Sequence, residues 1–130
     1  MDANKLLEMQ NTIVILLAKT ITESWDLAVI NIEIDVVDGQ RNEDCLALLY
    51  SLHIDGWKRK GFDFPYDGYD LFVNLRDLMK KPEAEDWTIS TLEISSSGKY
   101  RFSFSYAPPP RLNGIFDDNA MLNTFVPQPI

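Results

Sequence analysis

Hydrophobic residues recur at two different spacings along this chain, and each spacing predicts a different kind of element. Residues 4–22 repeat apolar side chains at helical spacing, and residues 69–81 do the same. Residues 27–37, 43–54 and 87–106 instead alternate in steps of two, which is the period of a β-strand. The pattern therefore predicts a mixture of helices and antiparallel strands.

The clearest alternation lies in residues 87–106, which predict two strands joined by a tight turn. Gly98 follows three serines and supplies a residue that tolerates positive φ where the chain reverses. The second strand has one aromatic face, formed by Tyr100, Phe102, Phe104 and Tyr106. We expect this face to pack against the helices rather than to stack on nucleic-acid bases, because the chain is strongly acidic.

The remaining segments complete an α+β fold in a single domain, residues 1–130. Turns at Asp38-Gly39 and Asp55-Gly56 join the strands, and residues 57–60 add a short further strand. We predict an antiparallel sheet of four to five strands with two main helices packed on one face. The opposite face and the loop 55–70 are expected to be exposed. Residues 107–130 form a proline-rich C-terminal extension, with one short helix predicted within 111–124.

Charge narrows the classes of partner. The chain has 130 residues with 12 basic and 20 acidic side chains, a net charge of −8. Such a protein is repelled by nucleic acids and anionic membranes and attracts basic partners, although acidity also simply keeps a protein soluble. No apolar stretch approaches the ~20 residues of a membrane span, and no signal peptide is evident. Together with a single cysteine, these features predict a cytoplasmic protein.

Residues that could support catalysis or metal binding are sparse. Cys45 and His53 lie on one predicted strand, eight residues or roughly 26 Å apart, which excludes a nucleophile–base pair. A calcium loop beginning at Asp63 would place Pro65 and Asn74 where carboxylates are required. Glu33 and Asp35 share one strand face as an acid–base pair, a partner-binding patch or a solvated surface. We predict no catalytic residue, metal or cofactor.

A protein partner is the better hypothesis. The loop 55–70 mixes aromatic and acidic side chains, a composition typical of a binding hot spot for a basic protein. The alternative is that its aromatic residues fold inward and close the edge of the core. The candidate partner-binding residues are Glu33, Asp35, Asp55, Trp57, Asp63, Tyr66, Asp67 and Asp70.

The hairpin also carries a family resemblance. Its first strand contains Trp87-Thr88 and Ser90-Thr91-Leu92-Glu93, and its turn contains Ser96-Ser97-Gly98-Lys99-Tyr100. This pattern, with the N-terminal helix ending at Glu23-Ser24-Trp25, resembles the YezG-like immunity protein family over residues 4–106. The strand near residues 46–54 is more aliphatic than that family's pattern, and residues after 107 match nothing in it.

The resemblance implies a function without enzymatic activity or cofactor. Members of this family are thought to neutralise a cognate toxin, often a basic nuclease, by tight binding in the cytoplasm. The toxin would be delivered by contact-dependent inhibition or another secretion system. A secretion chaperone or adaptor for an effector protein is the alternative, and a small enzyme using Glu33 and Asp35 is a third hypothesis. No nucleic acid or membrane is expected as partner.

Overall fold

The computed structural model describes residues 2–130, and in that range it contains two α-helices and one five-stranded antiparallel sheet. The strands lie side by side in the order β3-β2-β1-β4-β5. The predicted α+β class is therefore confirmed. The elements in chain order are α1 Ala3–Thr20, β1 Leu27–Val37, β2 Gln40–His53, β3 Gly56–Gly61, α2 Tyr66–Leu78, β4 Ile89–Ser95 and β5 Tyr100–Ser105.

The helices begin where local chemistry stabilises their first turns. Asp2 caps α1, since its carboxylate accepts a 2.9 Å hydrogen bond from the Asn4 backbone N–H. Helix α2 begins three residues earlier than its apolar spacing predicts. Pro65, with φ −65°, precedes its first turn, and the Gly68 N–H donates to the Pro65 carbonyl. Residues 66–70 of the predicted loop 55–70 are therefore helical.

One face of the sheet packs against both helices and forms the main core. The face of β1 that carries Ile30, Ile32 and Ile34 is fully buried against Leu17 of α1 and Phe72 of α2. On β5, the predicted aromatic face lies on the same side. Its members packed against this core are Tyr100, Phe102 and Phe104. The helix-packing prediction is thus confirmed for these three residues, whereas Tyr106 is exposed.

The opposite face of the sheet is covered by residues 107–130, which we call the C-terminal strap. We expected this face to be exposed, and that expectation is wrong. Leu27, Val29 and Tyr50 are buried there, with Leu122 and Phe125 of the strap packed on them. The predicted short helix within 111–124 is reduced to one turn of 3₁₀ helix, Arg111–Asn113, followed by turns.

A buried arginine fixes the strap to the sheet. The Arg111 Nη1 atom donates to Asn31 Oδ1 at 2.8 Å and lies 3.1 Å from Glu33 Oε2, while Nε donates to Asp44. The Arg111 and Glu33 side chains are only 3% and 1% exposed. We call this group of four residues the Arg111 clamp. Because a buried charge needs paired partners, the clamp explains why Glu33 is buried here.

A second arginine holds the strap further along the chain. Arg59 of β3 donates to the Leu122 carbonyl at 3.2 Å and to Asn123 Oδ1 at 3.0 Å. These bonds lie at the surface, so each contributes about 1 kcal/mol at most. The strap is consequently attached at both the centre and the edge of the sheet.

Replacing Arg111 with methionine is expected to destabilise the protein by about 3–5 kcal/mol, because Glu33 then remains buried without its cation. Urea denaturation measures this loss. Arg59→Met serves as the control and is expected to cost about 1 kcal/mol. Adding Glu33→Gln to Arg111→Met should restore part of the loss. A single Arg111→Met variant as stable as the wild-type protein contradicts the clamp.

Candidate functional site

The eight candidate partner-binding residues do not form one patch, and the first two lie on the strap side of β1. Glu33 belongs to the Arg111 clamp, where its Oε1 also accepts a 3.1 Å bond from the Leu112 N–H. It therefore lacks the exposure that direct contact with a partner requires. Asp35, two residues further along, is half-buried and accepts from Asn42 at 3.2 Å. Its exposed part remains accessible to a partner at this end of β1.

The next two candidates lie at the β2–β3 turn. Asp55 is exposed and pairs with Lys58 at 3.1 Å. Trp57 lies opposite Leu52 in the sheet and lines a cavity of about 230 Å³ beside the end of the strap. Ile54, in the turn itself, is fully exposed. This turn thus presents apolar side chains beside an exposed ion pair.

The last four candidates surround the start of α2. Asp63, Asp67 and Asp70 are exposed, and Tyr66 is 84% exposed. The neighbouring aromatic residues Phe62, Phe64 and Tyr69 instead pack against the core. Phe64 and Tyr69 meet edge to face at 4.9 Å, and burial raises the pKa of Tyr69 to about 12. The alternative that the aromatic residues fold inward therefore holds for Phe62, Phe64 and Tyr69, whereas Tyr66 and the three aspartates are exposed. We call Asp63, Tyr66, Asp67 and Asp70 the α2 patch.

Asp70 of the α2 patch and the β2–β3 turn lie at opposite ends of the sheet. Asp70 lies 3.4 Å from Arg41 at the beginning of β2, whereas Asp55 follows the end of that strand. His53 lies twelve positions after Arg41, a span of roughly 40 Å along an extended strand. Strand β3 runs antiparallel to β2 and carries the chain from this turn back along the sheet toward the α2 patch. The loop predicted as one surface is therefore two.

A two-stranded arm projects beyond the sheet beside the α2 patch. Pairing between β1 and β4 reaches Glu33, and pairing between β2 and β3 begins at Leu48. The Ile34 N–H still donates to the Thr88 carbonyl at 2.8 Å, but residues 35–42 have backbone partners only in each other's strand. We call residues 35–42 the β1–β2 arm. Its valines, Val36 and Val37, are 52% and 54% exposed. Adjacent residues of a strand point to opposite faces, so each face of the arm exposes one valine side chain.

The strap brings a second exposed apolar pair to the same end of the sheet. Ile115 and Phe116 are 51% and 67% exposed, and two aspartates, Asp117 and Asp118, follow them. The Ile115 N–H donates to the Pro110 carbonyl at 2.9 Å, which folds this segment back toward the Arg111 clamp. We call residues 115–118 the strap tip. No periodic pattern marks it in the sequence, so the sequence analysis did not identify it.

The groups considered for catalysis are not brought together. Cys45 and His53 both lie on β2, as predicted, with Cys45 partly buried on the helix side and His53 exposed at the strand end. Burial raises the pKa of the Cys45 thiol. Within residues 2–130 there is no group of His, Cys, Asp or Glu arranged to hold a metal ion. In the same range, no helix has the length and apolar character needed to cross a membrane.

Comparison with known proteins yields one short similarity. No model of a protein family matches the chain. A stretch of 44 residues, 34% of the chain, is 41% identical to the type VII secretion system protein EsaG of Staphylococcus aureus (strain NCTC 8325 / PS 47). The matched stretch spans 27% of the length of EsaG. The chain is thus similar over part of its length to a protein of a bacterial secretion system.

The raised pKa of Cys45 predicts a poorly reactive thiol. Because the thiolate is the nucleophile, we expect iodoacetamide at pH 8 to label the folded protein at least about tenfold more slowly than the urea-unfolded protein. The folded rate should rise as the pH increases toward the raised pKa. Mass spectrometry measures both rates. Labelling of the native protein as fast as that of a free thiol contradicts this assignment and reopens a nucleophilic role for Cys45.

Proposed function

We propose that this protein is an immunity protein that neutralises a toxin exported by a bacterial secretion system. The observation that carries the proposal is the 44-residue similarity to the type VII secretion system protein EsaG. The YezG-like pattern of the hairpin, from Trp87 to Tyr100, is compatible with the same class of function. The toxin class we propose is a nuclease, acting in the cytoplasm.

Inhibition by binding requires a rigid acidic surface rather than a reactive group. A nuclease presents a basic cleft to the phosphates of its substrate, and a protein of net charge −8 is attracted to such a cleft. Electrostatic attraction raises the association rate above that of neutral proteins, which is useful against a toxin entering a cell. The α2 patch supplies exposed carboxylates around Tyr66, at the start of a helix fixed by packing to the core. Under this proposal the protein needs no catalysis or cofactor.

A secretion chaperone that escorts an effector is the second candidate. The similarity to EsaG, a type VII secretion system protein, is compatible with that role as well. The two functions differ in the fate of the complex. An immunity protein keeps its partner inactive, whereas a chaperone releases it intact on export.

The deciding experiment uses the full chain as tagged bait in its native strain, with bound proteins identified by mass spectrometry. Immunity predicts a one-to-one complex with the toxic domain of an exported protein, and co-expression of this chain should restore growth of cells that produce that domain. Recovery of an effector that is released on export, without growth rescue, favours the chaperone. Recovery of no specific partner contradicts both.

Charge reversal within the α2 patch tests the electrostatic part of the proposal. The triple variant Asp63→Lys, Asp67→Lys and Asp70→Lys is expected to weaken the complex at least about tenfold, mainly through slower association. Stopped-flow mixing at several salt concentrations measures this rate.

A matched control reverses three exposed acids that are not partner-binding candidates, Glu8, Glu83 and Glu85, and gives the same net charge. The control should associate faster than the patch variant. Equal rates for the two triple variants remove the α2 patch from the binding surface and leave only the effect of net charge. Thermal unfolding of each variant verifies that its fold is intact.

A further inference from the structure

We propose that the β1–β2 arm and the strap tip together form a docking surface for a cationic folded protein domain. This inference rests on the proposed function and extends it, because it places a large part of the toxin interface on residues outside the α2 patch. It also gives the strap a role beyond covering the sheet.

The fold brings the arm and the strap tip to one end of the sheet. Arg111 of the strap contacts Glu33 and Asp44, the paired residues from which the two strands of the arm extend. The backbone N–H of Leu112 is bonded to Glu33, and Ile115 returns to Pro110 in the same turn. The strap tip therefore leaves the clamp next to the base of the arm.

Large apolar side chains are exposed on both features. Val37 is on the strap side of the arm, because it continues the alternation of Glu33 and Asp35. Ile115 and Phe116 are more than half exposed on the strap tip. Neighbouring exposed apolar side chains that a polar rim surrounds are typical of protein-binding sites, and an aromatic residue at the centre is typical of a hot spot.

The rim of this surface is acidic, which specifies the partner's charge. Its acidic side chains are Asp35 and Asp38 on the arm and Asp117 and Asp118 on the strap tip. The basic residue of the arm, Arg41, is already engaged with Glu43 at 3.1 Å and Asp70 at 3.4 Å. An apolar centre with an acidic rim complements a cationic protein surface and repels nucleic acid and anionic lipid.

The arm also connects this surface to the α2 patch. Val36 and Arg41 face the helix side, and Arg41 reaches Asp70 of α2. A partner that contacts both faces of the arm reaches the α2 patch on the helix side and the strap tip on the strap side. The two surfaces then act as one continuous interface around the projecting strands.

The test uses the purified toxic domain recovered with the wild-type bait, in an inactivated form, and measures its affinity for variants of the full chain. Val37→Lys and Phe116→Lys, singly and combined, remove apolar contacts and place like charges against a cationic partner. The combined variant should bind at least about 30-fold more weakly. Phe116→Ala removes the contact without adding a charge and should still weaken binding several-fold.

The control is Ile54→Lys, which makes the same chemical change at a fully exposed site at the far end of the sheet. Its affinity should stay within about threefold of the wild-type value. Unfolding temperatures close to that of the wild-type protein show that each variant is folded.

The outcomes separate this inference from the proposed function. Wild-type binding that Val37→Lys and Phe116→Lys leave unchanged overturns the docking surface and preserves immunity. A wild-type chain that recovers no toxic domain overturns both. If the free wild-type chain is a dimer and these variants are monomers, the surface binds a second copy of the chain. That result overturns the proposal of a cationic partner.

Discussion

The burial of Arg111 against Glu33, Asn31 and Asp44 is the constraint on which the rest of this structure depends. A guanidinium at that depth needs an acceptor for each nitrogen, and β1 and β2 supply those acceptors from adjacent positions on one face. The clamp thereby converts a sheet with one wet face into a sheet enclosed between helices and strap. A buried ion pair adds little net stability, so its main effect is to fix the position of the strap.

The position of the strap in turn determines which surfaces a partner can reach. The strap covers the middle of the sheet face, and its tip emerges beside the β1–β2 arm, where Val37 and Phe116 are exposed. The helices cover the other face and present the α2 patch at the same end of the sheet. Acidic and apolar side chains from three separate parts of the chain therefore converge there, which is the arrangement that the proposed inhibition of a basic toxin requires.

Much of the fold could be predicted because its patterns are local. The alternation of β1 predicted its bounds, and the aromatic stripe of β5 predicted its packing side. The burial of the strap face could not be predicted, because the alternation of β1 places Glu33 on a polar face that is typical of solvent exposure. Its partner Arg111 lies 78 positions later, and no local pattern connects the two residues. The strap itself consists of prolines and turns, so its apolar residues follow no helical or strand spacing. The α2 patch was identified by composition, but β3 begins next to Asp55 and carries the chain away from the β2–β3 turn, which composition does not reveal.

Hydrogen–deuterium exchange of the free chain and of its complex with the recovered toxic domain tests whether the clamp holds the strap on the sheet and whether the partner binds at the end with the arm. Strong protection of Leu112 in the free chain is expected, because its N–H is bonded to Glu33. The complex should add protection to residues 35–42 and 115–118 and leave residues 52–57 unchanged. Rapid exchange throughout the free strap, or new protection confined to residues 52–57, contradicts the account.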